Sequence, residues 1–209
     1  MNIVESTDYN ESNIIKSIIK LHCNTNIELD PTYSKGNFYK DGIKQPLYIF
    51  DLHPQLAGVK KANAENLPLA NECINTMMFD PPFLATKGKS LSIKNNSNKI
   101  NKRFGVYPTE KELHQFYINA LKEFYRLLKP GGVLIFKCQD KVSSSKQYFS
   151  HVFIMNQAID IGYYCKDLFI LLAQNRIVAN WQAENQKHAR KFHSYFLVLE
   201  KINKKVVYT

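Results

Sequence analysis

A strand–helix–strand pattern in the middle of the chain is the strongest constraint on the fold. Residues 74–79 (INTMMF) form a short apolar run that two consecutive prolines stop. Apolar and aromatic residues then recur at helical spacing between Thr109 and Leu128, and a capping-box pattern begins this stretch. A Lys-Pro-Gly-Gly segment separates it from a second apolar run, residues 133–136. This order predicts two strands of one sheet joined by a helix.

Similar patterns extend the alternation on both sides. Because strands alternate with helices, we expect an α/β fold with a Rossmann-like, doubly wound and mostly parallel sheet. Ligands of such sheets bind beyond the carboxyl ends of the strands. The further strand candidates are residues 26–30, 47–50, 167–172 and 195–199, and the further helix candidates are an N-terminal helix at about 10–22 and a helix at 148–161.

Length and composition narrow the class of protein. The 209 residues suit one α/β domain, so we predict a single domain over residues 1–209. No apolar run approaches the ~20 residues that cross a bilayer, and the polar N-terminus is unlike a signal peptide, so we expect a cytoplasmic protein without a membrane partner. The four cysteines are far apart, without Cys-x-x-Cys or histidine pairs, which predicts reduced thiols and no metal site.

Much of the net charge of +10 lies in one segment. Residues 85–107, predicted to be a basic flexible loop, contain six basic residues and no acid: Lys87, Lys89, Lys94, Lys99, Lys102 and Arg103. Clustered lysines gain affinity by releasing the counterions condensed on nucleic acid, so the segment predicts a polyanionic partner. The alternative is a solvated loop whose lysines reflect the frequent Lys, Asn and Ile of an AT-rich genome.

Acidic residues end two successive strand candidates. Asp30 opens a turn that reaches Gly36, where a glycine lets backbone approach a ligand closely. Asp51 follows some twenty residues later, the spacing at which a Rossmann-type fold places a ribose-binding carboxylate. A third loop, around Asn63, has side chains able to hydrogen-bond an adenine amino group. Taken alone, the Asp30 turn is better explained as an ordinary turn and the Asn63 loop as a helix cap and turn, whereas the spacing between Asp30 and Asp51 favours a ligand-binding role for both.

The segment Asp80-Pro81-Pro82-Phe83 carries the most specific chemistry. An amino group on a nucleobase is a poor nucleophile because its lone pair is delocalised into the ring. The Asp80 side chain and the Pro81 carbonyl can each accept one amino hydrogen, which lets the nitrogen pyramidalise and directs its lone pair at an electrophile. The prolines hold that carbonyl in place, and Phe83 offers a face for stacking. The alternative is a rigid turn with a core phenylalanine.

Taken together, these motifs resemble a known family, the class I S-adenosylmethionine-dependent methyltransferases. The resemblance is strongest to amino-methyltransferases of the DNA N6-adenine and N4-cytosine type, particularly small bacterial and phage members. It extends from about Cys23 onward and implies a seven-stranded sheet whose last strand is antiparallel. The matching motifs are Asp30-Pro-Thr-x-x-x-Gly36-x-Phe38, Asp51, Ala-Asn63-Ala-Glu-Asn-Leu-Pro, Asp80-Pro-Pro-Phe83, Leu128-Lys-Pro-Gly-Gly132 and His193-Ser-Tyr-Phe-Leu-Val198.

By carry-over, the resemblance implies S-adenosyl-L-methionine as cofactor. Its methionine part would lie on the first turn, formed by Asp30, Pro31, Thr32, Tyr33 and Gly36. Its ribose would bind Asp51, and its adenine would face Asn63 and Ala64, with Asp80 at the junction with the acceptor. Two departures stand out: the first loop lacks a second glycine, and Asn63 occupies a position where aspartate is common. The separate target-recognition domain of the family is expected to be missing as well.

The prediction is therefore methyl transfer to adenine N6 in DNA by a monomer or homodimer, with cytosine N4 as a weaker candidate. Substrate contacts are expected from the basic loop and from residues 176–193, which include Trp181, Lys187 and Arg190. Trp181 could equally be a core residue. For Lys137, Asp140 and the six histidines, a solvated or structural role is favoured. The alternatives are guanine-N2 or adenine-N6 methylation of RNA, protein methylation, or a catalytically silent nucleic-acid-binding module.

Overall fold

The computed structural model describes residues 3–85, 107–143, 145–174 and 186–203. A short 3-10 turn at Asn37–Tyr39 lies between the second and third strands. The helices and strands in chain order are β1 (Thr7–Asp8), α1 (Glu11–His22), β2 (Leu29–Asp30), β3 (Tyr48–Asp51), β4 (Lys60–Lys61), β5 (Ile74–Phe79), α2 (Glu110–Leu127), β6 (Leu128–Cys138), β7 (Lys141–Ser143), β8 (Lys146–Tyr148), α3 (Ser150–Ile161), β9 (Tyr163–Leu172) and β10 (His193–Lys201).

The strands form one eight-stranded sheet in the order β1-β9-β10-β6-β5-β2-β3-β4, while β7 and β8 form a separate hairpin. Within the large sheet β10 runs antiparallel to both of its neighbours, and the other neighbouring pairs are parallel. The predicted Rossmann-like, mostly parallel sheet with an antiparallel last strand is therefore confirmed. A sheet that reverses its strand order between β2 and β5 has a ligand crevice at that point.

The predicted number of seven strands is wrong, because β1 adds an eighth at the edge. Thr7 and Asp8 pair in parallel with Ile170 and Leu171 of β9, and the Ile170 amide donates to the Ser6 carbonyl at 2.7 Å. Backbone hydrogen bonds form this pairing. The side chains of the segment are polar, so the sequence shows no alternation of apolar and polar residues that would have predicted a strand.

Two hydrophobic cores lie on opposite faces of the sheet. Helices α2 and α3 cover one face, where Phe79, Phe124 and Phe136 are fully buried. Helix α1 packs on the other face, against residues that include Met78 and Ile135. Neighbouring residues of β5 and of β6 thus enter different cores, as expected for strands covered on both sides.

Element boundaries differ from the sequence prediction mainly at the carboxyl end of α2. The Lys-Pro-Gly-Gly segment was expected to separate helix from strand, but β6 already begins at Leu128. The pairing of β5 with β6 shifts register between Ile74 and Thr76, and Gly131 adopts a positive φ of 77°. An irregular start allows the strand to include residues that normally break one. The first predicted strand, residues 26–30, is shorter and spans Leu29–Asp30.

Most of the predicted basic loop lies outside the described residues, so its conformation stays a prediction. Its two ends are described: Ala85 and Tyr107 form a parallel bridge, in which the Tyr107 amide donates to the Leu84 carbonyl at 3.3 Å. In the part of the chain that the structure describes, no helix combines the length and apolarity of a membrane span.

The capping box of α2 gives a stability prediction. The Thr109 hydroxyl accepts from the Glu112 amide at 3.2 Å and donates to the Glu112 carboxylate at 2.7 Å. Thr109→Ala should lower the free energy of unfolding by about 1 kcal/mol, measured by urea denaturation, because an amide at the helix start loses its acceptor. Thr109→Ser keeps the hydroxyl and should stay close to the parent protein. Equal losses in both variants would contradict a capping role.

Candidate active site

The turn that follows β2 is organised around a buried carboxylate. Asp30 accepts hydrogen bonds from the Thr32 amide at 2.8 Å, the Thr32 hydroxyl at 3.3 Å and the Tyr39 hydroxyl at 2.7 Å. Burial raises the pKa of Asp30 to about 7, although these hydrogen bonds oppose the rise. Asp30 therefore shapes the turn from within. Tyr39, which sequence reasoning missed, closes the turn from the 3-10 segment.

Asp51, at the end of β3, ties the same turn to the neighbouring strand. Its carboxylate accepts the Ser34 amide at 2.9 Å and the His53 amide at 2.7 Å, each on a different oxygen. The Tyr33 amide also donates to the Phe50 carbonyl at 3.0 Å. A carboxylate has about four acceptor sites, so Asp51 retains capacity for hydroxyl donors.

Gly36 marks a close approach within this turn. It adopts a positive φ of 64°, and a Cβ built on it would lie 2.4 Å from the Tyr33 hydroxyl oxygen. The Tyr33 ring is buried and stacks on Tyr39 with a centroid distance of 5.5 Å. Beside it, the Ser34 hydroxyl oxygen is buried without a hydrogen-bond partner among the described residues. A buried hydroxyl without a partner is costly, which indicates a position where a ligand supplies one.

The loop after β4 lies next to Asp51, because the Ala62 amide donates to the Asp51 carbonyl at 3.1 Å. Asn63 makes its side-chain hydrogen bonds with Glu65, at 3.1 Å to the amide and 3.2 Å to the carboxylate. Ala64 is buried. Glu123 of α2 accepts the Leu67 amide at 2.7 Å and anchors the far end of the loop. The three cofactor motifs predicted from sequence thus lie on adjoining strand ends.

The Asp80–Phe83 segment continues from β5 at the same edge, and neighbouring elements hold its backbone. The Asp80 amide donates to the Thr32 hydroxyl at 3.0 Å, and the Tyr117 hydroxyl donates to the Pro82 carbonyl at 2.7 Å. The Lys141 ammonium donates to the Phe83 carbonyl and pairs with Glu110 at 2.9 Å.

Two acceptors of this segment are left over. The Pro81 carbonyl accepts no hydrogen bond from the described residues, and the Asp80 Oδ1 atom is buried with no partner among them. The Phe83 ring makes no stacking contact with another described aromatic ring. Asp80 Oδ1 and the Pro81 carbonyl are thus two hydrogen-bond acceptors on consecutive residues that no described residue uses.

The electrostatics of Asp80 depend on residues outside the predicted motifs. Burial raises its pKa to about 6, the Lys137 ammonium at 3.7 Å from Oδ2 opposes the rise, and Glu11 adds to it. The predicted solvated turn at Lys137 is wrong, since its side chain is only 13% exposed and pairs with Glu11 at 2.6 Å. Lys137 lies within β6, which extends further than the apolar run suggested.

Asp140 is likewise buried rather than solvated. It accepts from the His151 amide at 3.3 Å, lies 2.8 Å from His151 Nδ1, and accepts from the Tyr195 hydroxyl at 3.5 Å. His151 stacks on Tyr195 with a centroid distance of 4.2 Å. These contacts join the ends of β6 and β10 to α3. In the described part of the molecule, no group of three or more metal-ligating side chains comes together.

The residues predicted to contact nucleic acid are only partly described. Lys187 and Arg190 are exposed and lie just before β10. Because β10 is antiparallel, its first residues lie at the carboxyl edge of the parallel strands, where Tyr195 pairs with Cys138. The others, Lys87, Lys89, Lys94, Lys99, Lys102, Arg103 and Trp181, lie outside the described residues.

Solved proteins share this fold. TrmN from Thermus thermophilus matches with a TM-score of 0.52 and 15% identity, over 91% of this chain and 49% of TrmN. The cyclase SpnF matches with a TM-score of 0.51 and 13% identity, over 91% of this chain and 81% of SpnF. A proposed DNA modification methylase, also from Thermus thermophilus and complexed with S-adenosyl-L-methionine, matches with a TM-score of 0.48 and 15% identity, over 71% of this chain and 56% of its own.

The likeness is one of fold. This chain spans about half the length of TrmN and of the methylase. No model of a protein family and no curated protein matches the sequence. Because one fold supports unrelated activities, the function of this chain depends on the side chains at its strand ends.

The close approach at Gly36 gives a second prediction. Gly36→Ala should destabilise the protein by more than the ~1–2 kcal/mol that a left-handed alanine costs, because its methyl group displaces the Tyr33 ring. Gly42 also has a positive φ, of 84°, but nothing lies within 4 Å of a Cβ there, so Gly42→Ala is the matched control. Urea denaturation should show the larger loss for Gly36→Ala. Equal losses would mean that backbone strain alone matters at Gly36.

Proposed function

We propose that the chain is an S-adenosylmethionine-dependent methyltransferase that acts on an exocyclic amino group of a nucleobase, with adenine N6 in DNA as the preferred acceptor. The observation that carries the proposal is the pair of unused acceptors at the end of β5, Asp80 Oδ1 and the Pro81 carbonyl. Two acceptors side by side suit a group with two hydrogens to donate, and an aromatic amino group is such a donor.

The acceptor half of the reaction follows from these atoms. With one amino hydrogen on Asp80 Oδ1 and the other on the Pro81 carbonyl, the nitrogen lone pair is turned out of the plane of the base. Phe83 stacks on the base, a contact worth ~1–3 kcal/mol per base in related settings. Hydrogen bonds from Tyr117 and Lys141 occupy the Pro82 and Phe83 carbonyls and fix the backbone of the Asp80–Phe83 segment. Asp80 also stabilises the positive charge that develops on nitrogen.

The cofactor half fits the neighbouring turn. Ser34 provides a buried hydroxyl that lacks a partner, Asp51 retains acceptor capacity for a ribose diol, and Asn63 with Ala64 borders the position of a purine. When bound, S-adenosyl-L-methionine would supply an electrophilic sulfonium methyl group. The amino nitrogen would bond to the methyl carbon as the carbon–sulfur bond breaks, which leaves a thioether, and the nitrogen would then release one proton. Asp30 is engaged with Thr32 and Tyr39, so it supports the turn beneath the ligand.

Thr32 connects the two halves. Its hydroxyl donates to Asp30 in the turn after β2, which is proposed to hold the cofactor. The same hydroxyl accepts from the Asp80 amide in the Asp80–Phe83 segment, which is proposed to hold the acceptor base. Two reactants held on adjoining strand ends react as if within one molecule, which can supply up to ~7–11 kcal/mol of the barrier. The alignment thus depends on short contacts between the ends of β2 and β5.

The choice of DNA rests on charge. The net charge of +10, the basic residues of segment 85–107, and Lys187 and Arg190 beside the start of β10 suit a phosphate backbone. A duplex target base has to be extruded before it can reach Asp80, at a cost of a few kcal/mol. RNA presents the same phosphates and amino groups, so an RNA base is the alternative acceptor.

A single parallel assay tests the proposal. Methyl-labelled S-adenosylmethionine is offered to unmethylated DNA, ribosomal RNA and a protein extract, and the modified nucleoside or residue is identified by mass spectrometry. The expected product is N6-methyladenine in DNA. Label found only in RNA would identify an RNA base as the acceptor in place of DNA. Label found only in protein would refute an action on nucleobases. No label, with no cofactor binding by calorimetry, would indicate a catalytically silent module.

Asp80→Ala should lower methyl transfer by about 100-fold or more, because the variant loses the acceptor that orients the amino group. Binding of S-adenosylmethionine, followed by calorimetry, should be largely retained. Asp160→Ala, at an exposed position of α3, removes a carboxylate away from the strand ends and should leave both measurements unchanged. An Asp80→Ala protein that methylates at the parent rate would refute the proposed role.

A further inference from the structure

A line of three charged side chains links the first helix to the Asp80–Phe83 segment. Glu11 begins α1, Lys137 lies in β6, and Asp80 follows β5. The Lys137 ammonium lies 2.6 Å from Glu11 Oε1 and 3.7 Å from Asp80 Oδ2. The first contact is a short charge-assisted hydrogen bond, and the second is an ion pair without a direct hydrogen bond.

The surroundings of Lys137 make its position specific. Its side chain is 13% exposed, and its ammonium lies 4.9 Å from the Phe38 ring centroid and 5.6 Å from that of Phe196. Burial tends to lower the pKa of Lys137, but Asp80 and Glu11 outweigh it, and the net effect is a raised pKa. A lysine that is both buried and charged needs opposite charges close by, and Glu11 and Asp80 supply them here.

The two oxygens of Asp80 face different environments. Oδ2 faces Lys137, while Oδ1 is buried without a partner among the described residues. We infer that Lys137, anchored by Glu11, is a positioning residue that keeps Asp80 ionised and reserves Oδ1 for the acceptor amino group. The part of the inference that concerns the amino group rests on the proposed function, whereas the control of the Asp80 charge by Lys137 can be measured without it.

The charge at Asp80 depends on several neighbouring elements. Lys137 favours the ionised carboxylate, and Glu11 disfavours it. Asp30, Tyr39, Tyr117 and Cys138 also interact electrostatically with Asp80 and would add negative charge if ionised. Burial raises the pKa of Tyr39, Tyr117 and Cys138 well above the usual values, so these three groups stay neutral. The negative charge that Lys137 opposes at Asp80 comes from Glu11 and, when it is ionised, from Asp30.

The ionised carboxylate is the form that accepts hydrogen bonds best and stabilises a developing cation. Burial raises the pKa of Asp80 to about 6 even with Lys137 in place. An acid whose pKa is raised takes up its proton as the pH falls through that value, so methyl transfer should decline below about pH 6. Without Lys137 the decline should begin at higher pH.

The test uses substitutions with opposite expected signs. Lys137→Met keeps the length of the side chain and removes the charge, which should raise the pKa of Asp80 by about one pH unit or more. Glu11→Gln removes the competing anion and should lower it. The pKa is read from the side-chain carboxyl carbon of Asp80 by NMR titration, assigned by comparison with Asp80→Asn. Lys166→Met, which breaks the Lys166–Glu200 pair between β9 and β10, is the control and should leave the titration unchanged.

Methyl transfer supplies the second measurement. The acid limb of the pH–rate profile should move with the pKa of Asp80, so that Lys137→Met loses about fivefold in relative rate at pH 6 compared with the parent. Lys137→Arg retains the charge and should restore the parent profile. Shifts of opposite sign in Lys137→Met and Glu11→Gln would support the inference, because general damage to the fold would not produce them.

The results separate this inference from the proposed function. An unchanged Asp80 titration in Lys137→Met or in Glu11→Gln overturns the inference whatever the activity. A protein that transfers no methyl group to any polymer, yet shows the opposite titration shifts, refutes the proposed function and leaves the control of charge by Lys137 in place. If Lys137→Met does not fold, Lys137→Gln takes its place in the same titration, and an unchanged pKa of Asp80 in that variant overturns the inference.

Discussion

The hydrogen bond between the Asp80 amide and the Thr32 hydroxyl is the contact on which the site depends. Parallel pairing brings the ends of β2 and β5 to one edge, but pairing alone leaves the loops beyond it undefined. The same hydroxyl donates to Asp30, so one side chain sets the distance between the two turns. A short side chain that bonds to both turns therefore fixes their relative positions, as any reaction between two ligands on adjoining strand ends requires.

Periodicity made most of the fold predictable. The β5–α2–β6 unit could be predicted from sequence because its strands are buried on both faces and its helix has an amphipathic repeat and a capping box. The eighth strand could not be predicted. β1 pairs through the backbone groups of a polar segment, and the side-chain pattern of that segment is not typical of a strand. The start of β6 was missed for a related reason, since prolines and glycines normally break strands.

At the site, local motifs were predictable and their long-range partners were not. Asp30, Asp51 and Asp80 each stand at the end of a strand. An acidic residue after a short apolar run is visible in the sequence, so these positions could be predicted. Glu11 gave no such signal, because an acid in the first turn of a helix is ordinary and satisfies the helix dipole. A lysine embedded in the apolar stretch VLIFKC was the available clue to Lys137. Its partners come from α1 and β5, which only the folded chain brings together.

The bridge between Ala85 and Tyr107 has a consequence for the length of the segment that it closes. The bridge joins the two ends of the basic segment directly after Asp80–Phe83. Just before the bridge, Tyr117 and Lys141 donate hydrogen bonds to the Pro82 and Phe83 carbonyls. Lengthening a loop whose ends are already joined costs little free energy, since each doubling adds only about 0.6 kcal/mol. The segment between Ala85 and Tyr107 can therefore gain or lose residues at little cost in stability, while the backbone on either side of it keeps its place.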